Sequence, residues 1–312
     1  TYDKSIILED SNKNIWIGEQ GGGLFFYKRN ENTFVNYKYK EGNTEGITSN
    51  VVLSLFEDTS KNLWVGTMYG GLNKINLSSD HFHWHQPAKN PKNSFENEIR
   101  ASVEDKLGRI WLGSRGGKLF CYKKDKLLYT FPDDLSQVNQ SKFKDFNFYS
   151  LYIDRNDNLW MGTRDRGLLV IKDIINTKPT QLQIIDFENL ISKNLNDIFS
   201  IIQDKYGNYW IGSHRLGLSH LSNPFDNPQI INYRQGKSAN QIMSNFIRQL
   251  FFVKDDNLWI TNIKGINVLP ANQLRAANRE FIAIENRKSD VSSLSFYDVD
   301  HIFQASDKSI YV

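Results

Sequence analysis

Three histidines, His81, His83 and His85, alternate along one short stretch and would share a strand face, a spacing at which neutral imidazoles can meet a metal ion. They fall on the outermost strand of their unit, recur in no other copy of the repeat, and no carboxylate is placed to complete a shell. An exposed outer strand is therefore the preferred reading, and no metal or cofactor is assigned. The pairs Glu9-Asp10, Glu57-Asp58 and Glu104-Asp105 could be read as acid and base carboxylates. Neighbours on a strand point to opposite faces, however, so turn capping accounts for them better. No nucleophile elbow, phosphate-binding loop or Cys-x-x-Cys is present, and Gly21-Gly22-Gly23 follows a strand as a hairpin turn would. No catalytic residue is assigned.

Arginines and aromatics offer binding chemistry instead. The segments after the second strand of successive units read Glu19-Gln20, Met68-Tyr69, Arg115, Arg164-Asp165-Arg166, His214-Arg215 and Lys264. The segments leading into the first strands add Arg100, Tyr149, Phe246, Arg248, Phe296 and Tyr297. In up-and-down units these segments meet at one end. The candidate ligand-binding set is therefore Tyr69, Arg100, Arg115, Tyr149, Arg164, Arg166, His214, Arg215, Arg248 and Lys264. Guanidinium forks grip carboxylates or sulfates at two points, and aromatic faces pack on the apolar side of sugar rings. An acidic oligosaccharide suits both. The competing reading is that turns are polar because they are wet, with Glu96, Glu98, Asp165 and Asp197 neutralising the bases.

The elements that must position these groups are set by a repeat. Trp16, Trp64, Trp111, Trp160, Trp210 and Trp259 recur every 47 to 50 residues, and Tyr311 takes the next equivalent place. Asp10, Asp58, Asp105, Asp154 and Asp204 each precede their Trp by six residues. The sixth copy, Asp255-Asp256-Asn257-Leu258-Trp259, reads as one residue short and carries Thr261-Asn262 where Gly belongs. The seventh has Gln304-Ala305 and Tyr311 in place of Glu-Asp and Trp. In the second copy, Val51 to Glu57, the stretch around Trp64, Leu72 to Asn76 and His81 to His85 read as four strands, with turns too short for helices. Apolar triplets such as Leu63-Trp64-Val65 indicate strands covered on both faces, with the Trp series as core.

Four-stranded units of this length that stack face to face make an all-β, seven-bladed β-propeller, with a solenoid stack as the competing architecture. The repeats run approximately over 5–45, 51–90, 99–135, 148–190, 197–236 and 246–285, with an incomplete seventh at 297–312. One propeller domain is expected over 1–312, and because both ends cut across a repeat, a fragment of a larger protein.

A net charge of +3 argues against nucleic acid as a partner, and 39% apolar residues suit a globular β domain. No stretch reaches the roughly 20 apolar residues of a membrane span. The single cysteine, Cys121, excludes an internal disulfide.

Glu57-Asp58, Asn62-Leu63-Trp64-Val65-Gly66-Thr67 and Gly70-Gly71-Leu72 resemble the two-component regulator propeller repeat, and similar strings run through residues 5 to 265. The resemblance implies a seven-bladed propeller, commonly one of two in tandem, followed by an immunoglobulin-like domain, a membrane span and a histidine kinase with response-regulator modules. It implies an extracytoplasmic sensor of Bacteroides-type hybrid systems that detects an oligosaccharide in the periplasm. The expected partners are that oligosaccharide, an adjacent propeller or immunoglobulin-like domain, and a second protomer in the parent. None of the six histidines is followed by the acidic residue of a phosphoacceptor helix, so kinase chemistry is expected outside this chain. A protein-binding scaffold propeller, and behind it a propeller lyase or glycosidase, are the alternative functions.

Overall fold

A computed structural model describes residues 5–29, 31–41, 46–77, 81–85 (backbone only), 95–124, 126–135, 146–164, 166–187, 197–287, 290 and 293–312. The protein is an all-β propeller of four-stranded antiparallel blades. Six sheets each take their strands in chain order, and a two-stranded sheet follows.

Sheet 1 comprises Ile6–Glu9, Ile15–Glu19, Gly23–Lys28 and Thr33–Tyr37, and sheet 2 Val52–Glu57, Asn62–Thr67, Gly71–Asn76 and His81–His85. Sheet 3 is Ile99–Glu104, Arg109–Ser114, Leu119–Lys123 and Lys126–Phe131; sheet 4 is Phe148–Ile153, Leu159–Thr163, Leu168–Ile171 and Ile184–Asp186. Sheet 5 is Ile198–Gln203, Tyr209–Ser213, Leu218–Ser222 and Gln229–Tyr233; sheet 6 is Ile247–Phe252, Leu258–Asn262, Gly265–Leu269 and Ile282–Ile284. Sheet 7 is Phe303–Gln304 with Ile310–Tyr311. The chain forms two compact units, 1–161 with 169–185, and 162–168 with 186–312.

One turn recurs between the first two strands of every sheet. Its fourth residue is Lys13, Lys61, Gly108, Asp157, Gly207, Asp256 or Lys308, all at positive φ between 60° and 87°. In five copies the Asp that opens the turn does more than cap it. Asp58 Oδ1 accepts the backbone N–H of Asn62 at 2.8 Å, while Oδ2 accepts the indole Nε1–H of Trp64 at 2.7 Å. The same indole bond is made by Asp10, Asp105, Asp154 and Asp204 at 2.9, 2.9, 2.7 and 3.2 Å. The offset of six is thus the spacing at which a turn carboxylate reaches over the strand to satisfy a buried indole, as burial of an N–H demands.

The sixth copy is not short, contrary to the sequence expectation. Val253 occupies the Asp place, with its N–H on Asn257 O at 3.1 Å as Asp58 N–H lies on Asn62 O at 2.9 Å. The turn survives and the carboxylate is lost, leaving Trp259 Nε1 buried without a hydrogen-bond partner. Ala305 closes the corresponding turn of the seventh copy on Ser309 O at 2.8 Å.

Within each unit the core lies between sheets. In the first unit, Trp64 and Leu72 of sheet 2 pack with Ile99, Ile110, Leu112 and Phe120 of sheet 3. Trp111, Cys121 and Phe131 of sheet 3 pack with Phe148, Leu159 and Met161 of sheet 4. In the second unit, Trp210 and Leu218 of sheet 5 pack with Ile247, Leu250 and Ile260 of sheet 6. Ile266 and Val268 of sheet 6 meet Val299 and Ile302. In sheets 3 and 5 the Gly after the Trp-apolar pair allows this approach: a Cβ on Gly113 would sit 2.8 Å from Phe148 Cβ, and one on Gly212 2.6 Å from Ile247 Cγ2. Burying one such Trp, at 150–250 Å², contributes about 4–6 kcal/mol.

The histidine stretch is the fourth strand of sheet 2, as expected, and pairs with the third from Asn76 opposite His81 to Leu72 opposite His85. The side chains of His81, His83 and His85 lie outside the described residues. Among the described residues no group of three or more His, Cys, Asp or Glu could hold a metal ion, and no helix is long and apolar enough to cross a membrane.

Candidate binding sites

In the first unit the turn that leads into sheet 3 carries Phe95, Glu96, Asn97 and Glu98, and it folds against the turn after that sheet's second strand. Arg115 N–H donates to Glu98 O at 2.9 Å and Gly116 N–H to Phe95 O at 2.8 Å. Glu98, fully buried, accepts from Arg100 Nε at 2.8 Å and from Arg115 Nη1 at 3.2 Å, so one carboxylate fixes two guanidiniums. Arg100 lies 4.5 Å from the centroid of the Tyr149 ring, and Arg115 lies 4.2 Å from that of Phe95. Phe95 also meets Tyr69, whose backbone takes a positive φ of 61°. Four expected residues, Tyr69, Arg100, Arg115 and Tyr149, are therefore joined through Glu98 and Phe95.

The second unit repeats the device. Asp197 N–H donates to Arg164 O at 2.6 Å and His214 N–H donates to Asp197 O at 2.9 Å, which ties the turn after the second strand of sheet 4 to that of sheet 5. The Asp197 carboxylate draws Arg164 Nε to 3.8 Å and Arg215 Nε to 3.5 Å. Buried His214 stacks on Phe199 and packs against Phe246. Burial, with Arg248, Arg215 and Arg164 nearby, pushes its pKa down to about 3, so it stays neutral at physiological pH. Arg248 lies 4.9 Å from the Phe246 centroid and pairs with Asp298 and Asp300, each at 3.1 Å. Beside Asp298, Phe296 and Tyr297 stack on each other at 4.3 Å while remaining 57% and 56% exposed.

Arg166 is exposed, with its backbone N–H on Thr163 Oγ1 at 3.1 Å; Asp165 lies outside the described residues. Lys264 stands in a different setting within the second unit, at a cavity of about 740 Å³ lined by the 235–245 segment and by residues of sheet 6. Arg164, His214, Arg215 and Arg248 are brought together; Lys264 lines that cavity instead.

Sequence reasoning identified the bases and missed part of what organises them. Asp298 and Asp300 were not singled out, and Phe95 and Phe199 are single-copy residues with no periodic signal. Asn267 carried a signal: it follows Gly265-Ile266 as Asn73 follows Gly71-Leu72, and each side chain accepts the N–H of an incoming segment, Met243 at 2.9 Å and Thr48 at 3.0 Å.

Residues 46–69, 145–165 and 192–215 match the two component regulator propeller family. No curated protein is significantly similar. Among solved structures, the extracellular domain of the putative hybrid two component system BT3049 from B. thetaiotaomicron is 18% identical with a TM-score of 0.63, over 97% of this chain and 42% of that one. PorZ, a surface component of the type-IX secretion system of Porphyromonas gingivalis, is 15% identical with a TM-score of 0.68, over 94% and 42%. Virginiamycin B lyase from Staphylococcus aureus is 11% identical with a TM-score of 0.60, over 88% and 87%. The chain thus spans less than half the length of the first two. An extracellular domain of a putative two component system, a secretion-system component and a lyase share this fold, so function must be argued from sites.

Proposed function

From a chain that carries two component regulator propeller repeats, we propose a ligand-sensing extracytoplasmic domain of a hybrid two-component sensor, a seven-bladed propeller that recognises an oligosaccharide in the periplasm. The kinase lies elsewhere in an inner-membrane-anchored parent, and this chain is not catalytic. The observation that carries the reading is the cluster around Asp197, where Arg164, Arg215 and Arg248 are held by carboxylates near the exposed Phe296 and Tyr297 rings. Guanidinium–carboxylate pairs present fixed donors and acceptors to hydroxyl groups, and exposed rings suit the C–H faces of sugars. Because the acids offset most of the bases, the ligand is better matched as a neutral or weakly acidic oligosaccharide than as a densely charged one.

Signalling requires that the oligosaccharide bind two arrangements of the parent unequally, through an adjacent propeller or immunoglobulin-like domain or a second protomer. The test is a calorimetric titration of oligosaccharides into the wild-type chain and into Arg164→Ala/Arg215→Ala, whose side chains are 42% and 73% exposed. Affinity should fall at least tenfold; an unchanged affinity removes the cluster from the site. A stoichiometric protein partner retained without glycan would favour the scaffold reading.

A further inference from the structure

We propose that the cavity bounded by the 235–245 segment and the last two strands of sheet 6 is a second binding site, which takes a small hydroxylated carboxylate of the sugar-acid type. It is independent of the arginine clusters and lies wholly within the second unit.

An internal comparison between two blades carries the argument. Asn73 and Asn267 hold equivalent places on the third strands of sheets 2 and 6, and both are buried to within 1% of full burial. Asn73 is satisfied on both sides: Oδ1 accepts Thr48 N–H at 3.0 Å, and Nδ2 donates to Thr48 Oγ1 at 3.0 Å. In sheet 6 the incoming residue is Met243, which keeps the backbone bond to Asn267 Oδ1 at 2.9 Å and has no hydroxyl to return. Asn262 Nδ2 takes the second place on that oxygen at 3.3 Å. Asn267 Nδ2 is left with no protein partner among the described residues, and Asn267 lines a cavity of about 740 Å³. A donor that opens from a buried residue into a cavity of ligand size can be met by a ligand's acceptor.

The rest of the lining defines that acceptor's owner. Lys237, Lys264 and Glu285 are exposed, line the cavity and make no side-chain hydrogen bond or ion pair among the described residues. Two ammonium groups and an amide donor against one carboxylate favour a ligand with a single negative charge, whose hydroxyls can use Glu285. Phe281 and Met243 supply apolar wall for its carbon face. The wall is braced before any ligand arrives: Gly236 N–H donates to Ile242 O at 3.0 Å, and Phe281 N–H donates to Ala239 O at 2.8 Å. Such preorganisation reduces the ordering cost of binding.

The probe is glucuronate, with glucose as its neutral counterpart, titrated calorimetrically into the wild-type chain, Lys237→Glu/Lys264→Glu and Arg164→Ala/Arg215→Ala. Glucuronate should bind the wild type at least tenfold more tightly than glucose, lose at least tenfold on the lysine reversal and be unaffected by the arginine changes. The lysines are exposed, so the reversal should leave the fold intact, as far-ultraviolet circular dichroism would verify. Equal binding of glucose, binding unmoved by the lysine reversal, or no heat with glucuronate at about 10 mM, the weak end of specific association, would overturn the assignment. Loss of glucuronate binding in the arginine variant would overturn it too, by placing the ligand at the other site.

Discussion

Replacing a buried valine by aspartate should stabilise this protein at residue 253. Val253 is 6% exposed and opens the only described turn in which the buried indole N–H of a repeat Trp finds no carboxylate. An unpartnered buried indole N–H costs about 1–3 kcal/mol. In Val253→Asp the carboxylate would accept that N–H and the backbone N–H groups of Asp255 and Asn257. This is the pattern Asp154 makes with Asn156, Asn158 and Trp160 at 2.8, 2.9 and 2.7 Å. Hydrogen bonds to a charged group contribute about 1.5–3 kcal/mol each. Against them stand the lost burial of valine, about 1.5–3 kcal/mol, and a desolvation cost of several kcal/mol for the carboxylate. The balance is a gain of about 1 kcal/mol, or about 1.5 °C in thermal midpoint for a chain of this length. Differential scanning calorimetry of wild type, Val253→Asp, Trp259→Phe and the double variant separates the indole bond from other effects. A lower midpoint in Val253→Asp, or an equal gain in the Trp259→Phe background, would refute the reasoning.

Other perturbations have expected signs. The reverse change, Asp154→Val, strands the fully buried Trp160 indole and should cost about 3 kcal/mol in a denaturant titration. Glu98→Gln breaks a buried carboxylate's pairs with Arg100 and Arg115 and should lose about 3 kcal/mol, with heating midpoints as the readout. Burial and neighbouring arginines lower the pKa of His214 to about 3, and that of His220 to about 4, from an ordinary 6.5. The unfolded chain therefore takes up these protons first, so their contribution to stability is whole above pH 6.5 and declines as the pH falls towards 4. His220→Phe, which keeps a ring against Trp210, should make that decline shallower in unfolding curves taken between pH 7 and 4. Cys121 is fully buried with its thiol pKa pushed up to about 12, so it should resist a thiol reagent until the first unit opens.

The blades were legible because their signals repeat. The Trp period, the Asp six residues before it, the positive-φ turn and the Gly that admits the next sheet each encode one contact several times over. The sixth turn misled because Asp255 and Asp256 drew the eye from Val253, whose backbone alone holds the Asp place. The binding sites were legible only in part. Polar turn residues such as Arg115 and Arg215 could be placed at one end of their blades from strand order. Their fixation by Glu98 and Asp197 depends on how one turn folds over its neighbour, which leaves no periodic trace. The Asn267 amide without a partner on its Nδ2 arises from a single departure, Met243 where the second blade has Thr48, and a departure becomes visible only against the contact it replaces.

The central claim, that this face of the protein binds an oligosaccharide, is tested most directly by thermal-shift measurements on the purified chain. The panel would hold neutral and acidic oligosaccharides, with Arg164→Ala/Arg215→Ala run alongside. Ligand that binds only the folded chain raises its apparent stability, by about 2.7 kcal/mol at a hundred times the dissociation constant. The account predicts a rise in midpoint with at least one neutral or weakly acidic member, abolished in the variant. No rise with any member, or a rise of equal size in the variant, would contradict it.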